Sequence, residues 1–191
     1  MASADVLVAR RGRAYVREVD VTLVEAPPAA RPLLERLLQL YAYDFSELMP
    51  LDVDELGNFE GGTALAKCWK EPWRHAYIIR TAPAGGHIVG FTILDERSRL
   101  TGDPDVADVA EFFVLRRYRR QGVGLAAATA AFALFPRRWE VRQTATNTAA
   151  TAFWRRAITA YTRGAYSETL VDDARWRGPV QSFDARAIGR S

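Results

Sequence analysis

Thirteen residues beyond the middle of the chain combine permanent positive charge with glycines that leave the backbone accessible. The segment is RRYRRQGVGLAAA, residues 116–128, and it places four arginines before two glycines and a run of helix-forming residues. The first N–H groups of a helix have no intrahelical partner and lie at the positive end of its dipole. Gly122 and Gly124 leave that backbone uncovered, and arginine binds phosphate as a planar fork. The segment therefore predicts a binding site for an anion such as a phosphate group.

Two other interpretations of these residues are weaker. GVGLAA also fits the dinucleotide pattern G-x-G-x-x-G/A, with Glu140 near the place where an acid would be wanted. However, RRYRRQ separates the glycines from the preceding strand, and Glu140 opens the next strand rather than closing it. Nucleic-acid binding would call for an aromatic platform or a recognition helix beside the arginines, and neither accompanies them. Both interpretations remain as alternatives to a simple anion site.

Charge is divided unevenly along the chain. The totals are 26 basic and 23 acidic residues, a net charge of +3. Residues 37–66 contain six acids and no Lys or Arg, whereas residues 112–167 contain ten arginines and a single acid. The contrast predicts two subsites of opposite sign, in which the acidic segment attracts a cationic ligand.

Composition indicates one globular domain in a reducing compartment. With 191 residues, 49% of them hydrophobic, the chain is long enough to bury a full core. Cys68 is the only cysteine, and His75 and His87 lack metal-ligand spacing, so we expect no disulfide framework and no metal. No apolar run approaches the roughly 20 residues of a membrane span, and no signal-peptide pattern is present. We expect a cytoplasmic protein.

The elements that must position these residues alternate between strands and helices. Seven stretches have strand character, namely VREVDVTLVEA, HAYIIRTA, GHIVGFTILDE, DVAEFFVLR, WEVRQTA, AYSETLV and PVQSFDAR. Three have helical spacing, namely AARPLLERLLQLYAYDF, GVGLAAATAAFALF and NTAATAFWRRAITAYT. Asn147 is placed to cap the third helix, and Pro136 to end the second. The order predicts an α/β domain over residues 18–187, with residues 1–17 as a poorly anchored N-terminal segment.

The segment VAEFFVLRRYRRQGVGLAAATAAF resembles the acetyl-CoA-binding segment of the GNAT family of N-acetyltransferases. The family pattern, a strand, then R/Q-x-x-G-x-G/A, then a helix, is met by Arg119, Gly122 and Gly124. The resemblance continues in WEVRQTATNTAATAFWRRAI, with the next strand, Asn147 and a helix that carries an aromatic pair. It covers about residues 18–187.

The resemblance implies both a fold and an activity. The fold would be a single-domain mixed, mostly antiparallel sheet of about six to seven strands flanked by helices, splayed between the fourth and fifth strands. The activity would be transfer of an acetyl group from acetyl-CoA, as cosubstrate and without a metal, to the amine of a small cationic acceptor by direct attack in a ternary complex. A non-catalytic acyl-CoA-binding sensor or partner module on the same fold is the alternative.

The resemblance also assigns residues to the coenzyme. Its pyrophosphate would lie on the backbone N–H groups of the turn, and its pantetheine arm along the fourth strand. The N–H donors would be those of Arg120, Gln121, Gly122, Val123, Gly124 and Leu125, and the strand residues are Phe112, Phe113 and Val114. Arg119, the first residue of the family pattern, is also assigned to the coenzyme. Asn147 would face the coenzyme arm, serve only as a helix cap, or do both.

Three chemical requirements follow from direct attack: a neutral amine, a stabilised oxyanion and a proton for the leaving thiolate. Glu111 is the one acid on the fourth strand and would take the proton of the amine, unless it only pairs with an arginine. Val114 would offer its N–H to the oxyanion. Trp154 stands where relatives commonly place a tyrosine, so it would hold the sulfur or exclude water while Tyr161, Tyr166 or solvent supplies the proton.

The acceptor would bind against the first helix and the acidic segment that follows it. Tyr41, Asp44 and Glu47 are the candidate substrate-binding residues. A small-molecule amine or a peptide amine fits this expectation, with no nucleic acid and no membrane as partner. The protein is expected to be a monomer or a homodimer.

Overall fold

The structure is a computed structural model that describes residues 19–59, 65, 67–81 and 86–188. The predicted N-terminal segment, residues 1–17, lies outside the described residues, as do residues 82–85 of the predicted hairpin turn.

Seven strands form one sheet, which confirms the predicted fold class. The strands are β1 (Val21–Glu25), β2 (Arg74–Thr81), β3 (Ile88–Asp95), β4 (Val106–Val114), β5 (Arg138–Arg142), β6 (Ser167–Asp172) and β7 (Arg177–Asp184). Their order in the sheet is β1-β2-β3-β4-β5-β7-β6. Every neighbouring pair is antiparallel except β4 and β5, which are parallel and are joined through a crossover helix.

In the part of the chain with fully described elements, three helices flank the sheet: α1 (Arg31–Phe45), α2 (Val123–Leu134) and α3 (Thr148–Thr162). Helix α2 stops at Leu134 because Phe135 precedes Pro136 and adopts an extended conformation. Asn147 caps α3 as predicted, and its side chain accepts a hydrogen bond from the Ala150 N–H at 3.0 Å. None of the helices in the described part of the chain is long and apolar enough to span a bilayer.

The helices pack on opposite faces of the sheet. Leu34, Leu37 and Leu38 of α1 share a buried cluster with Phe113, whereas the neighbouring Phe112 packs against the cluster beneath α2 and α3. Successive strand residues point to opposite faces, so this division places α1 on one side and the other two helices on the other.

Strands β4 and β5 part after three residues. They pair only from Val106 to Asp108, while β5 continues along β7. The register of β4 against β3 shifts at the same level, because Leu94 pairs with Val109 and Ile93 with Glu111, so that Ala110 is an extra residue. A bulge of this kind bends its strand. It turns β4 away from β5 and leaves one edge of β4 without a strand neighbour.

Candidate active site

A cleft of about 220 Å³ opens where β4 and β5 part. Its walls come from α1, the β3–β4 connection, β4, the residues that follow β5, α3 and the β6–β7 turn. Glu111 is the only carboxylate among the described lining residues, and Arg99 and Arg142 are the only cations there. Tyr41, Phe112, Asn147 and Trp154, all proposed from the sequence as site residues, also line the cleft.

Glu111 is held by a neutral partner. The Tyr41 hydroxyl donates a hydrogen bond to its Oε2 at 2.8 Å, across 70 residues of sequence. Burial raises the pKa of Glu111, while the Tyr41 hydrogen bond and the charges of Arg99, Arg74 and Arg142 act against that rise. Burial, together with the adjacent carboxylate, also raises the pKa of Tyr41 well above its usual value, so the phenol keeps its proton. Glu111 therefore takes up a proton more readily than an ordinary glutamate, while the Tyr41 hydroxyl beside it keeps its own proton.

Two other carboxylates near the cleft are bound tightly by arginines. Asp108 accepts from Arg142 through both oxygens at 3.0 Å, and Asp95 accepts from Arg74 at 2.7 and 2.5 Å. All four side chains are at most 7% exposed. The bidentate geometry satisfies each charge within the protein. Of these four residues, Arg142 lines the cleft.

Arg99 differs from those arginines. It lies in the β3–β4 connection with its side chain 38% exposed, and its guanidinium approaches a carboxylate, that of Asp95, only at 4.0 Å. Its Nη1 reaches the Ala110 carbonyl only at 3.5 Å. Its guanidinium therefore lines the cleft with little of its hydrogen-bonding capacity used.

Gln143 is a buried cleft residue that the sequence analysis did not identify. Its Nε2 donates to Gln181 at 2.9 Å, and Gln181 in turn donates to the Glu168 carboxylate at 2.8 Å. Because a carboxylate can only accept here, it sets the orientation of both amides. Within the described residues, Gln143 Oε1 is left as a buried acceptor without a partner. Buried polar atoms without partners are rare, which marks this oxygen as a candidate ligand contact.

Aromatic rings build the wall beside α3. Trp154 is 5% exposed and packs at 5.0 Å from both Phe112 and Phe153. Among the described residues, the indole N–H of Trp154 has no hydrogen-bond acceptor. Tyr161, an alternative proton donor in the sequence analysis, instead packs against Phe132 and is not part of the cleft lining.

The predicted anion-binding turn leaves its backbone donors unused. Residues 120–125 follow a short 3₁₀ turn at Arg116–Tyr118 and lead into α2. None of their backbone N–H groups has an acceptor within the described structure. Two residues of the turn have left-handed backbone conformations, Arg120 with φ 59° and Gly122 with φ 88°. Glycine adopts this conformation freely, whereas it strains the backbone of Arg120. Left-handed residues in a turn are typical of the backbone concavities that bind anions through successive N–H groups.

Gly124 has a second role that the sequence did not suggest. A Cβ at this position would lie 3.1 Å from Cε2 of the Phe153 ring in α3. The glycine therefore allows α2 and α3 to pack closely, in addition to leaving the backbone uncovered. Val123 is buried at 2% exposure, and Leu125 packs against the cluster beneath the two helices, so any ligand contact of these residues would be through the backbone.

The acidic and basic segments meet directly. Asp44, at the end of α1, pairs with Arg116 at 2.7 Å and also with Arg119, while Glu47 reaches Arg116 at 3.0 Å. Arg119 also donates from Nε to the Val114 carbonyl at 2.7 Å. These contacts join the turn to α1. Asp44 and Glu47 do not line the cleft.

Val114 lies at the end of β4, beyond the residues that line the cleft. Its side chain packs with Ile79, Val89 and Val123, and the residue pairs with Gly90 of β3. Phe113 likewise directs its ring into the cluster beneath α1. Any contact of these two residues with a ligand would involve backbone groups on the open edge of β4.

A larger cavity of about 320 Å³ lies elsewhere, against β1, β2 and residues 68–72. Burial raises the pKa of the Cys68 thiol there to about 11, so the thiol stays protonated at neutral pH. The two cavities share none of the residues that line them. Across the described residues, no group of three His, Cys, Asp or Glu side chains could hold a metal ion.

A sheet that opens between two parallel strands, beside a helix N-terminus with unused donors, defines the acyl-CoA N-acyltransferase class of fold. The acetyltransferase (GNAT) family model matches residues 34–158. The chain therefore belongs to the GNAT acetyltransferase family, which confirms the resemblance and the expected enzyme class. No curated protein matches the sequence significantly.

Solved structures share the fold at low identity. An acetyltransferase from Thermus thermophilus superposes with a TM-score of 0.62 at 19% identity, covering 86% of this chain and 96% of that one. A dodecameric spermidine N-acetyltransferase from Vibrio cholerae gives 0.55 at 12%, covering 90% and 98%. A GNAT-family acetyltransferase from Staphylococcus aureus gives 0.51 at 13%, covering 87% and 99%.

Proposed function

We propose that the protein transfers the acetyl group of acetyl-CoA to the amine of a small acceptor, by direct attack within a ternary complex. The observation that carries the proposal is Glu111. It is the only carboxylate among the described cleft residues, it is bonded by a neutral phenol rather than an arginine, and burial raises its pKa. A general base should titrate near the operating pH, and a buried glutamate meets that requirement better than an exposed one.

The proton balance assigns one step to Glu111. The acceptor arrives as an ammonium cation, which the ionised carboxylate attracts, and Glu111 removes one proton, directly or through a water. The nitrogen lone pair then forms the new N–C bond while the C–S bond of the thioester breaks. The second proton of the nitrogen leaves to solvent as the amide forms, and the departing thiolate gains one. Tyr41 keeps Glu111 in place throughout because its own proton is retained.

The coenzyme site rests largely on backbone groups that have no partner within the described structure. Acetyl-CoA would supply the activated acetyl thioester, and its pyrophosphate fits the unused N–H groups of Arg120, Gln121, Gly122, Val123, Gly124 and Leu125. The open edge of β4 from Phe112 to Val114 offers backbone groups to the pantetheine amides, as an added strand would meet them. The Val114 N–H remains our candidate for the thioester oxygen. Asn147 and Gln143 also line the cleft, and Gln143 Oε1 is available as an acceptor for a ligand.

The leaving thiolate has modest requirements. A thiol has an ordinary pKa of about 8.5, so the thiolate can depart without a strong acid at hand. The free indole N–H of Trp154 can donate a hydrogen bond to the sulfur, while its ring excludes water. We assign the final proton to solvent, because neither Tyr161 nor Tyr166 lines the cleft.

Asp44 and Glu47, which the sequence suggested as acceptor-binding residues, are better explained by their arginine partners. Asp44 and Glu47 both form ion pairs with Arg116, and Asp44 also pairs with Arg119. We therefore propose that they hold the coenzyme turn against α1, and that Tyr41 and Glu111 attract the acceptor's ammonium group.

The test is a thiol-release assay with acetyl-CoA and a panel of primary amines, with the acetylated product verified by mass spectrometry. Thermal shift on the same protein compares CoA with pantetheine, which lacks the pyrophosphate. We expect CoA to raise the melting temperature more than pantetheine and at least one amine to be acetylated. Binding of CoA without turnover across the panel would instead support the non-catalytic sensor. A response to pantetheine equal to that with CoA would contradict the pyrophosphate site.

A further inference from the structure

Three cations act on Glu111, and two of them are already neutralised. Arg74 and Arg142 each form a bidentate pair with a buried aspartate. Arg99 is the third: its backbone N–H donates to Asp108 at 3.4 Å, but within the described residues its guanidinium approaches an acid only at 4.0 Å, at Asp95, which Arg74 already pairs. It is also the most exposed of the three, at 38% against 7% and 6%. Its charge is the one directed to the cleft.

The charge balance of the cleft changes when an amine binds. With Glu111 ionised, these three arginines face three carboxylates, Asp95, Asp108 and Glu111, and the cluster is neutral. An ammonium group beside Glu111 brings the net charge to +1, and the total is still +1 after its proton has moved to the carboxylate and left a neutral amine. The surplus remains through the reaction in a partly buried site, where uncompensated charge is costly. An anionic group on the acceptor would remove it.

Arg99 provides the geometry for such a group. Its Nη1 contact to the Ala110 carbonyl is 3.5 Å long, so most of its donors are open. Ala110 immediately precedes Glu111, which places the guanidinium beside the residue that receives the amine. A guanidinium binds a carboxylate through two parallel hydrogen bonds.

We propose that Arg99 binds a carboxylate of the acceptor, so that the acceptor is an amino acid or a similarly small molecule carrying an amine and a carboxylate. The inference rests on the proposed function, since it names the substrate class of the same cleft. The acceptor is then a zwitterion whose ammonium group meets Glu111 and whose carboxylate meets Arg99.

The experiment uses matched acceptors that differ only in the carboxylate. The free amino acids are compared with their carboxamides at saturating acetyl-CoA, for the parent protein, Arg99→Gln and Arg99→Lys. Because Arg99 lowers the pKa of Glu111, the assay is run above the acidic limb of the pH profile. Arg97→Gln is the control, since Arg97 stacks on Trp73 and does not line the cleft.

We expect Arg99→Gln to raise the KM for the free amino acid by about 10- to 100-fold, the range for a lost hydrogen bond to a charged group. In this variant the KM values for the carboxamide and for acetyl-CoA should stay unchanged. Arg99→Lys should retain part of the preference for the free amino acid over the carboxamide, and Arg97→Gln should have the KM values of the parent. The inference would be overturned if Arg99→Gln changed the KM values for the free amino acid and for its carboxamide equally. It would also be overturned if the parent preferred the carboxamides and the variant kept that preference.

A second readout separates this inference from the proposed function. Calorimetry on the CoA-loaded protein measures amino-acid binding without chemistry. Amino acids that bind in an Arg99-dependent manner but are never acetylated would refute the proposed transfer while leaving the carboxylate site standing. Acetylation of simple amines, with no amino acid bound or acetylated, would support the transfer and overturn the carboxylate site. The absence of both acetylation and amino-acid binding would overturn both.

Discussion

Asp108 and Glu111 stand three residues apart on β4, and both are largely buried, yet their surroundings differ. Asp108 accepts two hydrogen bonds from Arg142 at 3.0 Å, whereas Glu111 accepts one from Tyr41 at 2.8 Å. Burial raises the pKa of both carboxyl groups, so the direction of the shift does not separate them. The partner does, because a carboxylate engaged on both oxygens by a guanidinium has a structural role, while one bonded by a phenol can still gain a proton.

The bulge at Ala110 lies between these two residues. Asp108 is the last residue of β4 that pairs with β5, and Glu111 is the first past the bulge. Strand β4 therefore places Asp108 in the paired part of the sheet and Glu111, three residues later, in the cleft.

The largest effect is expected from Glu111→Gln. The amide has nearly the same shape and can still accept the Tyr41 hydrogen bond, but it cannot take a proton from the amine. Turnover should fall by about 10²–10⁴-fold, the loss typical of one general base. The melting temperature and CoA affinity should stay close to those of the parent. A loss of less than tenfold at saturating amine would remove Glu111 from the proton transfer.

The opposite outcome is expected for Asp108→Asn. This change leaves the Arg142 guanidinium buried without its counter-charge, which should cost about 3–5 kcal/mol of folding free energy. Denaturant unfolding measures it, and turnover per folded molecule should change far less than in Glu111→Gln. The control is Asp103→Asn at the exposed Arg138 pair, which should unfold like the parent. If Asp108→Asn unfolds like the control, the contrast between the two carboxylates does not hold.

A smaller effect should follow from Tyr41→Phe. The hydroxyl lowers the pKa of Glu111 by bonding its charged form, so its removal lets that pKa rise further. Because the base must be ionised to act, the acidic limb of the rate profile should move to higher pH, with the rate above the limb nearly unchanged. Tyr43→Phe, at an exposed position on the same helix, is the control. An unshifted limb in Tyr41→Phe would separate Tyr41 from the catalytic carboxylate.

The smallest effect is expected from replacing both Asp44 and Glu47 with their amides. Their charges are matched by Arg116 and Arg119 at the surface, and exposed ion pairs contribute little. The KM for the acceptor amine should change by less than about twofold. A large rise in KM confined to cationic amines would instead restore the assignment of these acids to the acceptor site.

Most of the fold could be predicted because its signals are local. Alternating apolar residues mark the strands, and Pro136 and Asn147 mark helix ends within a few residues of the structure. The family pattern at Arg119, Gly122 and Gly124 predicted the splay between β4 and β5, which the structure confirms.

The chemistry of the cleft was less accessible because it depends on pairs far apart in sequence. Tyr41 and Glu111 are 70 residues apart, and the contact of Asp44 with Arg119 spans 75. No local spacing encodes either pair. The open donors of Arg99 and the unpaired oxygen of Gln143 follow from packing around them, which composition and periodicity do not report.

The central claim, that Glu111 receives the proton of the amine, is tested most directly by the pH dependence of kcat/KM. The profile is measured for the parent and for Glu111→Gln with several acceptors whose amine pKa values differ. We predict an acidic limb in the parent that lies above the ordinary glutamate pKa of about 4.3, stays in place as the amine is varied, and disappears in Glu111→Gln. A limb that follows the pKa of each amine, or that persists in Glu111→Gln, would contradict the claim.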